Sequence, residues 1–289
     1  MVHLQSKLKP QSRRSFLRST MKLFLGIISS GIMVGTYSTE IERFWYQIKE
    51  IPLKVKRLPK SFIGWKIVHF SDVHLGFHYG VEEFQTVVHS INNINPDIIF
   101  FTGDLIELGN RNPENIIPLL KEIKTPPGGK WAVIGNHDYY LKEQVIKVLQ
   151  KSNFMTLDNT HHFIENQDQK IYIAGIDDVM YGSPKIDKAI AGLSESDCVF
   201  LLSHEPDIAD ESSKYPISAQ FSGHSHGGQV RLPFWGPIIN QRLATKYMDG
   251  YYEVGVNKLP LYVNRGIGTT NLPIRLFCRP EITVFYLAQ

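Results

Sequence analysis

At 289 residues with 43% hydrophobic side chains and a formal net charge of +3, the chain can bury a sizeable core in one domain, and it shows no repeat or low-complexity tract. The small net charge hides an asymmetry: residues 1–60 hold 12 Lys/Arg against 3 Asp/Glu, leaving 19 against 25 for residues 61–289. The body is therefore acidic, which argues against the basic footprint of a nucleic-acid-binding surface, and no specific nucleic-acid partner is expected.

In chain order, Ser12-Arg13-Arg14-Ser15-Phe16-Leu17-Arg18 precedes an apolar stretch from Leu23 to Tyr37. Residues 1–39 read as a targeting segment, and the heptad resembles the twin-arginine export signal S-R-R-x-F-L-[KR]. The alternative is a short basic start of an anchored helix. At ~1.5 Å per residue the apolar stretch spans ~22 Å, short of a ~30 Å hydrocarbon core, so it is marginal as a permanent span. No A-x-A-like cleavage site follows, which leaves open a retained anchor or a cut at a poor site. Residues 40–60 gather Arg43, Lys49, Lys54, Lys56, Arg57 and Lys60 around Phe44, Trp45 and Tyr46. They are expected as a basic linker, suited to a membrane interface or to anionic envelope polymers, or simply solvated. The folded domain is expected at 61–289.

From Trp65 the pattern alternates. Apolar runs at 66–70, 98–102 and 130–134 predict buried strands. Val81, Phe84, Val87, Val88, Ile91 and Ile94 recur at helical spacing, and 116–123 and 145–149 repeat that pattern. The second half is richer in strands, expected at 171–174, 199–202, 219–222, 229–232, 261–263 and 282–287. Cys198 opens one of these runs and is expected as a small buried apolar residue; nothing in the spacing supports a disulfide to Cys278.

Five apolar runs end in side chains that carry chemistry: Asp72-Val73-His74, Gly103-Asp104, Gly135-Asn136-His137-Asp138, Ser203-His204-Glu205 and Gly223-His224-Ser225-His226. Open α/β sheets build their sites at strand ends, so all five are expected on one rim. An amide oxygen is a weak ligand alone, so a cation on Asn136 requires the stronger donors of the other four stretches.

The order D-x-H, G-D, G-N-H-D, S-H, G-H-x-H resembles the calcineurin-like metallophosphoesterase superfamily. Within it, Gly223-His224-Ser225-His226-Gly227-Gly228-Gln229, Leu232-Pro233-Phe234, Tyr262-Val263-Asn264-Arg265-Gly266 and Pro280-Glu281-Ile282-Thr283-Val284-Phe285 are similar to exported YkuE-like phosphodiesterases. The resemblance implies an α/β fold, a four-layer α/β/β/α sandwich. It also implies two divalent metal ions that hold phosphoryl oxygens and activate a water for attack on a P–O bond. One metal is expected on Asp72, His74, Asp104 and His226, the other on Asp104, Asn136, His204 and His224. Mixed imidazole and carboxylate donors favour Mn, Fe or Zn over Mg or Ca.

The same resemblance makes His137 the group that steadies the phosphoryl group and protonates the leaving oxygen. Its acidic partner is expected at Glu107, three residues after Asp104, where relatives carry Asp. Asp138 is the alternative, or else a cap for a helix starting near Tyr139. Arg265 is a candidate phosphate clamp whose alternative is a structural ion pair. His69 in a strand, His89 on a helix face and His161-His162 in a turn are not expected to bind metal, whereas His78 lies in a loop that could face substrate.

These expectations describe a monomeric phosphodiesterase of the cell envelope, exported by the twin-arginine machinery. Its substrate would be a cell-wall phosphodiester or the pyrophosphate of a nucleotide-linked glycolipid, as in UDP-diacylglucosamine hydrolases. A nuclease or cyclic-nucleotide phosphodiesterase, and a metal-binding envelope protein without catalysis, are the alternatives.

Overall fold

The structure is a computed structural model and describes residues 12–110 and 112–289. Its strands are β1 (Gln47–Lys54), β2 (Lys66–Phe70), β3 (Ile98–Thr102), β4 (Lys130–Val133), β5 (Phe154–Thr156), β6 (Thr160–Asn166), β7 (Gln169–Gly175), β8 (Val199–Leu202), β9 (Ala219–Ser222), β10 (Arg231–Leu232), β11 (Gly236–Pro237), β12 (Gly250–Val254), β13 (Leu259–Val263) and β14 (Glu281–Ala288). The helices are α1 (Arg13–Thr36), α2 (Val81–Ile94), α3 (Ile117–Glu122), α4 (Lys142–Lys151), α5 (Ile186–Ala189) and α6 (Ala209–Ser212).

Two six-stranded sheets form, in the orders β1-β14-β2-β3-β4-β5 and β12-β13-β9-β8-β7-β6, and β10 pairs with β11 in a small ribbon. In the first sheet β2, β3, β4 and β5 are parallel; in the second β7, β8, β9 and β13 are. The inner faces meet in one core. Ile67, Phe100, Val133 and Phe285 of the first sheet pack with Ile173, Phe200, Phe221 and Tyr262 of the second. The outer face of the first sheet is covered by α2, α3 and α4 through Val87, Ile91, Leu120, Val145 and Leu149. α5 and α6 cover the second through Ile186, Ala189 and Ala209. The result is the expected α/β/β/α sandwich. Strands buried on both faces need continuous apolar runs, which is why β2, β3 and β8 are plain in the sequence.

The stretch expected as a linker is built into the domain. Gln47–Lys54 is the edge strand of the first sheet and runs parallel to β14. Lys49, Ile51 and Leu53 alternate inward, and Lys49 reaches Glu281 of β14 (Nζ–Oε2 2.6 Å). Pro52 is tolerated because an edge strand has one unpaired side. Upstream, Glu42 is buried and accepts from the Cys278 amide (2.6 Å). His161 and His162, expected in a turn, lie instead on β6. Only the last two residues of the strand expected at 229–232 pair with β11. Both cysteines are buried free thiols.

α1 stands apart, with none of its residues buried. It is long and apolar enough to cross a membrane, by length and composition.

Candidate metal centre

Parallel strands deliver the five chemical stretches to one place. Asp72 and His74 follow β2, Asp104 follows β3, Asn136 and His137 follow β4, His204 follows β8, and His224 and His226 follow β9. The two sheets are stitched together here, because His204 reaches the Thr102 carbonyl at the end of β3 (Nδ1–O 2.6 Å).

The backbone at this rim is strained. Asp72, His74, Asp104, His224 and His226 all have left-handed φ, between 50° and 68°. Such conformations cost a non-glycine residue on the order of 1–3 kcal/mol each and persist only where the surroundings enforce them. Here they are enforced by hydrogen bonds: the His224 amide donates to both Asp72 oxygens (3.0 Å each), and the His137 amide to Asp104 Oδ1 (2.8 Å). Gly103, at φ +95°, has no room for a side chain, since a Cβ would lie 2.7 Å from His204 Nδ1.

Seven donors converge in two groups that share one carboxylate. His74 Nε2 lies 3.0 Å from His226 Nε2, 3.4 Å from Asp104 Oδ2 and 4.0 Å from Asp72 Oδ1. On the other side His204 Nε2 lies 3.1 Å from Asp104 Oδ2, 3.1 Å from Asn136 Oδ1 and 3.3 Å from His224 Nδ1. Asp104 Oδ2 is thus within 3.4 Å of both His74 and His204, whereas Asp72 Oδ1 lies 4.0 Å from each and nearer to His226 (3.5 Å).

Outer contacts decide which ring nitrogens face inward. A carbonyl or carboxylate oxygen only accepts, so its imidazole partner must carry the proton on that side. His204 Nδ1 donates to Thr102, His224 Nε2 to the Arg242 carbonyl (2.7 Å) and His74 Nδ1 to Glu107 Oε2 (2.9 Å). The opposite nitrogen of each ring points at the donor cluster and offers a lone pair.

Charge follows the same plan. Burial first, then neighbouring imidazoles, push His224 down to about 4 and His226 further, so both are in the neutral form that binds metal. Burial opposes ionisation of Asp104, yet His204 and His74 hold its carboxyl well below the usual range. His204 behaves oppositely: burial disfavours its charge, but Asp104 and Asp72 raise its pKa, so a cation there displaces a proton. Three carboxylate or amide oxygens and four imidazoles, three of them oriented by outer hydrogen bonds, fit divalent transition metals.

His137 sits at the edge of this cluster, 14% exposed, in the wall of a cavity of about 510 Å³ with Leu108, Asn136, Tyr139, Tyr140 and Tyr181. Its Nδ1 is 2.7 Å from Glu107 Oε1, so Glu107 orients both His137 and His74. Burial lowers the His137 pKa, but the Glu107 hydrogen bond and the charges of Asp104 and Glu107 raise it on balance. Asp138 serves neither role considered for it. It is fully buried and accepts from the amides of Leu105, Ile106 and Gly135, bracing the loop after β3 against the loop after β4.

Arg265 does not join the cluster. Its guanidinium is committed to Asp249 Oδ2 (2.6 and 2.9 Å), which is the structural ion pair. His78 is exposed, and His69, buried between the sheets, bonds Thr102 Oγ1 (2.8 Å). Arg275, which nothing in the sequence singles out, is fully buried and donates to the carbonyls of Arg265, Gly266, Gly268, Cys278 and His226. It fixes the course of the His226 loop. The only sequence signal is an arginine inside an apolar neighbourhood.

Residues 66–228 match the family model described as calcineurin-like phosphoesterase, and that span contains all seven donors and His137. The chain belongs to the calcineurin-like phosphoesterase family. It is 38% identical over 97% of its length to the uncharacterized metallophosphoesterase YkuE of Bacillus subtilis (strain 168), covering 99% of that protein. Identity to an uncharacterized metallophosphoesterase of Aquifex aeolicus (strain VF5) is 32% over 88% of this chain and 95% of the other. A Danio rerio protein described as a transmembrane protein with metallophosphoesterase domain is 31% identical over 84% of this chain and 57% of its own length. As a calcineurin-like phosphoesterase the chain is a metal-dependent phosphoester hydrolase, and the cluster is where the family's divalent metals would be held.

Proposed function

We propose that this phosphoesterase is a two-metal phosphodiesterase working at the cell envelope. The observation that carries the reading is the shared Asp104 Oδ2, with His74, His226 and Asp72 on one side and His204, His224 and Asn136 on the other. Mn, Fe or Zn suits such donors, and bound there would neutralise phosphoryl charge and lower the pKa of a coordinated water. The chain's own residues do the rest. The Glu107 bond on Nδ1 turns the His137 ring so that Nε2 is left for substrate, and the raised pKa keeps a larger protonated fraction near neutrality. A proton from Nε2 to the departing oxygen lets an alcohol leave neutral.

Envelope placement is supported by the exposed apolar α1, by the twin-arginine heptad at its start, and by the relative described as a transmembrane protein. It favours a cell-wall phosphodiester or a nucleotide-linked glycolipid pyrophosphate over a nucleic acid, which the acidic body would repel.

The test is His137→Asn. Metal content should be unchanged, while kcat on alkyl or sugar diesters should fall by ~10²–10⁴, the usual worth of a general acid. The deficit should shrink for a nitrophenolate leaving group, which needs little help from a proton. Equal loss on both substrate types would mean that His137 positions the phosphoryl group and donates no proton.

A further inference from the structure

The turn between β10 and β11 ends in a bare aromatic tip. Phe234 is fully exposed and Trp235 is 88% exposed, with Leu232, Ile238 and Ile239 about half exposed beside them. From Leu232 to Asn240 the sequence carries no charge. Large apolar side chains left together in water are costly, and contiguous ones mark an interaction surface. Behind the tip, a cavity of about 480 Å³ lined by Val230, Ile238, Ile239, Leu272 and Ile274 extends to Ser225 and Gly228 of the ligand loop.

Where α1 meets the domain supplies a second, independent observation. The Ser38 carbonyl, just past α1, accepts from the Arg275 amide (3.1 Å), and Glu42 accepts from the Cys278 amide (2.6 Å). Between these two anchor points Leu276 pairs with the base of the hairpin: its amide donates to the Gln229 carbonyl (2.9 Å), and its carbonyl accepts from the Arg231 amide (2.9 Å). One short segment is therefore gripped by the end of α1 on one side and by the hairpin on the other. Phe277, within it, is itself exposed. A bilayer that holds α1 lies beside the hairpin base, and an uncharged loop tipped with Phe and Trp matches the polarity of its interface.

We propose that Phe234 and Trp235 dock the domain on the lipid surface that holds α1, entering the boundary between headgroups and acyl chains and setting the ligand loop over the membrane. The inference rests on α1 being membrane-embedded and is independent of the hydrolytic reading.

The experiment reconstitutes the full chain in phosphatidylethanolamine–phosphatidylglycerol vesicles, with ordinary or dibrominated acyl chains. Wild type is compared with Trp235→Phe, because the difference isolates Trp235 from the other three indoles among the 4 Trp. Insertion to a depth of ~5–10 Å should shift Trp235 emission to shorter wavelength and quench it roughly twofold or more in brominated lipid. Unquenched, water-like emission from vesicle-bound chain overturns the proposal, including the case in which the tip meets a protein. Failure of the chain to float with vesicles overturns it together with the membrane reading of α1. Hydrolysis of a water-soluble nitrophenyl diester is measured in the same samples. Activity without quenching overturns docking alone, and quenching without activity supports docking while overturning the hydrolytic reading.

Discussion

Glu107 holds two imidazoles at once, and a glutamine in its place cannot. A carboxylate accepts from His74 and His137 together, whereas an amide turns an N–H toward one of them. Glu107→Gln should therefore weaken metal binding ~10–100-fold, as loss of an outer partner of a ligand histidine does, measured by chelator competition. The same carboxylate has a pH signature. Burial raises its pKa, but the His137 and His74 bonds outweigh burial and hold it at about 2, against 4.5 unperturbed. A depressed folded-state pKa means stability present above about pH 4.5 and lost as pH falls through about 2. In chelator-treated protein, the stability of wild type relative to Glu107→Gln should fall by on the order of 3 kcal/mol as pH drops from 6 toward 2. Urea melts across that range check it. Asp104→Asn should abolish activity and reduce metal at both groups, because the shared oxygen loses its charge; two equivalents by elemental analysis in an active variant would contradict this. Glu107 was legible as the partner of His137 because it lies three residues beyond Asp104, but its second contact was not, since His74 is distant in sequence. Arg265 shows the converse: its position after β13 suggests a clamp, and only the fold reveals Asp249 beside it.

Among the elements, the buried central strands were readable and the edges were not. β3, β8 and β9 have every residue buried and β2 all but Lys66, so β3 and β8 are almost wholly apolar and β2 and β9 keep apolar residues with few polar ones between. β1 shows one solvated side, four charged or amide residues and a proline, the same composition a linker has. β6, which carries His161 and His162, is likewise an edge strand with only Ile164 buried. Leu53 separates the two readings of 47–54. It is buried in the core between the sheets, so Leu53→Ala should cost about 2–5 kcal/mol in urea unfolding. A linker leucine would cost under about 0.5 kcal/mol.

For the whole molecule, the position of α1 outside the core makes its start replaceable without disturbing the fold. On the proposed twin-arginine route the arginine pair is read as an address, so Arg13→Lys with Arg14→Lys should leave a folded, active enzyme that stays in the cytoplasm; finding it outside the cytoplasmic membrane by fractionation would rule out that route. The pairing of β1 with β14 sets a timetable for making the protein. The Glu42–Cys278 bond just ahead of it joins positions 236 apart, so the first strand synthesised waits for the last. At ~5–20 residues per second the ribosome leaves β1 without its neighbour for ~10–50 s. Throughout that interval the first sheet has an open edge, and the His226 loop, once made, still waits about fifty residues for Arg275. Any handover to a carrier that accepts only finished domains must follow the emergence of β14.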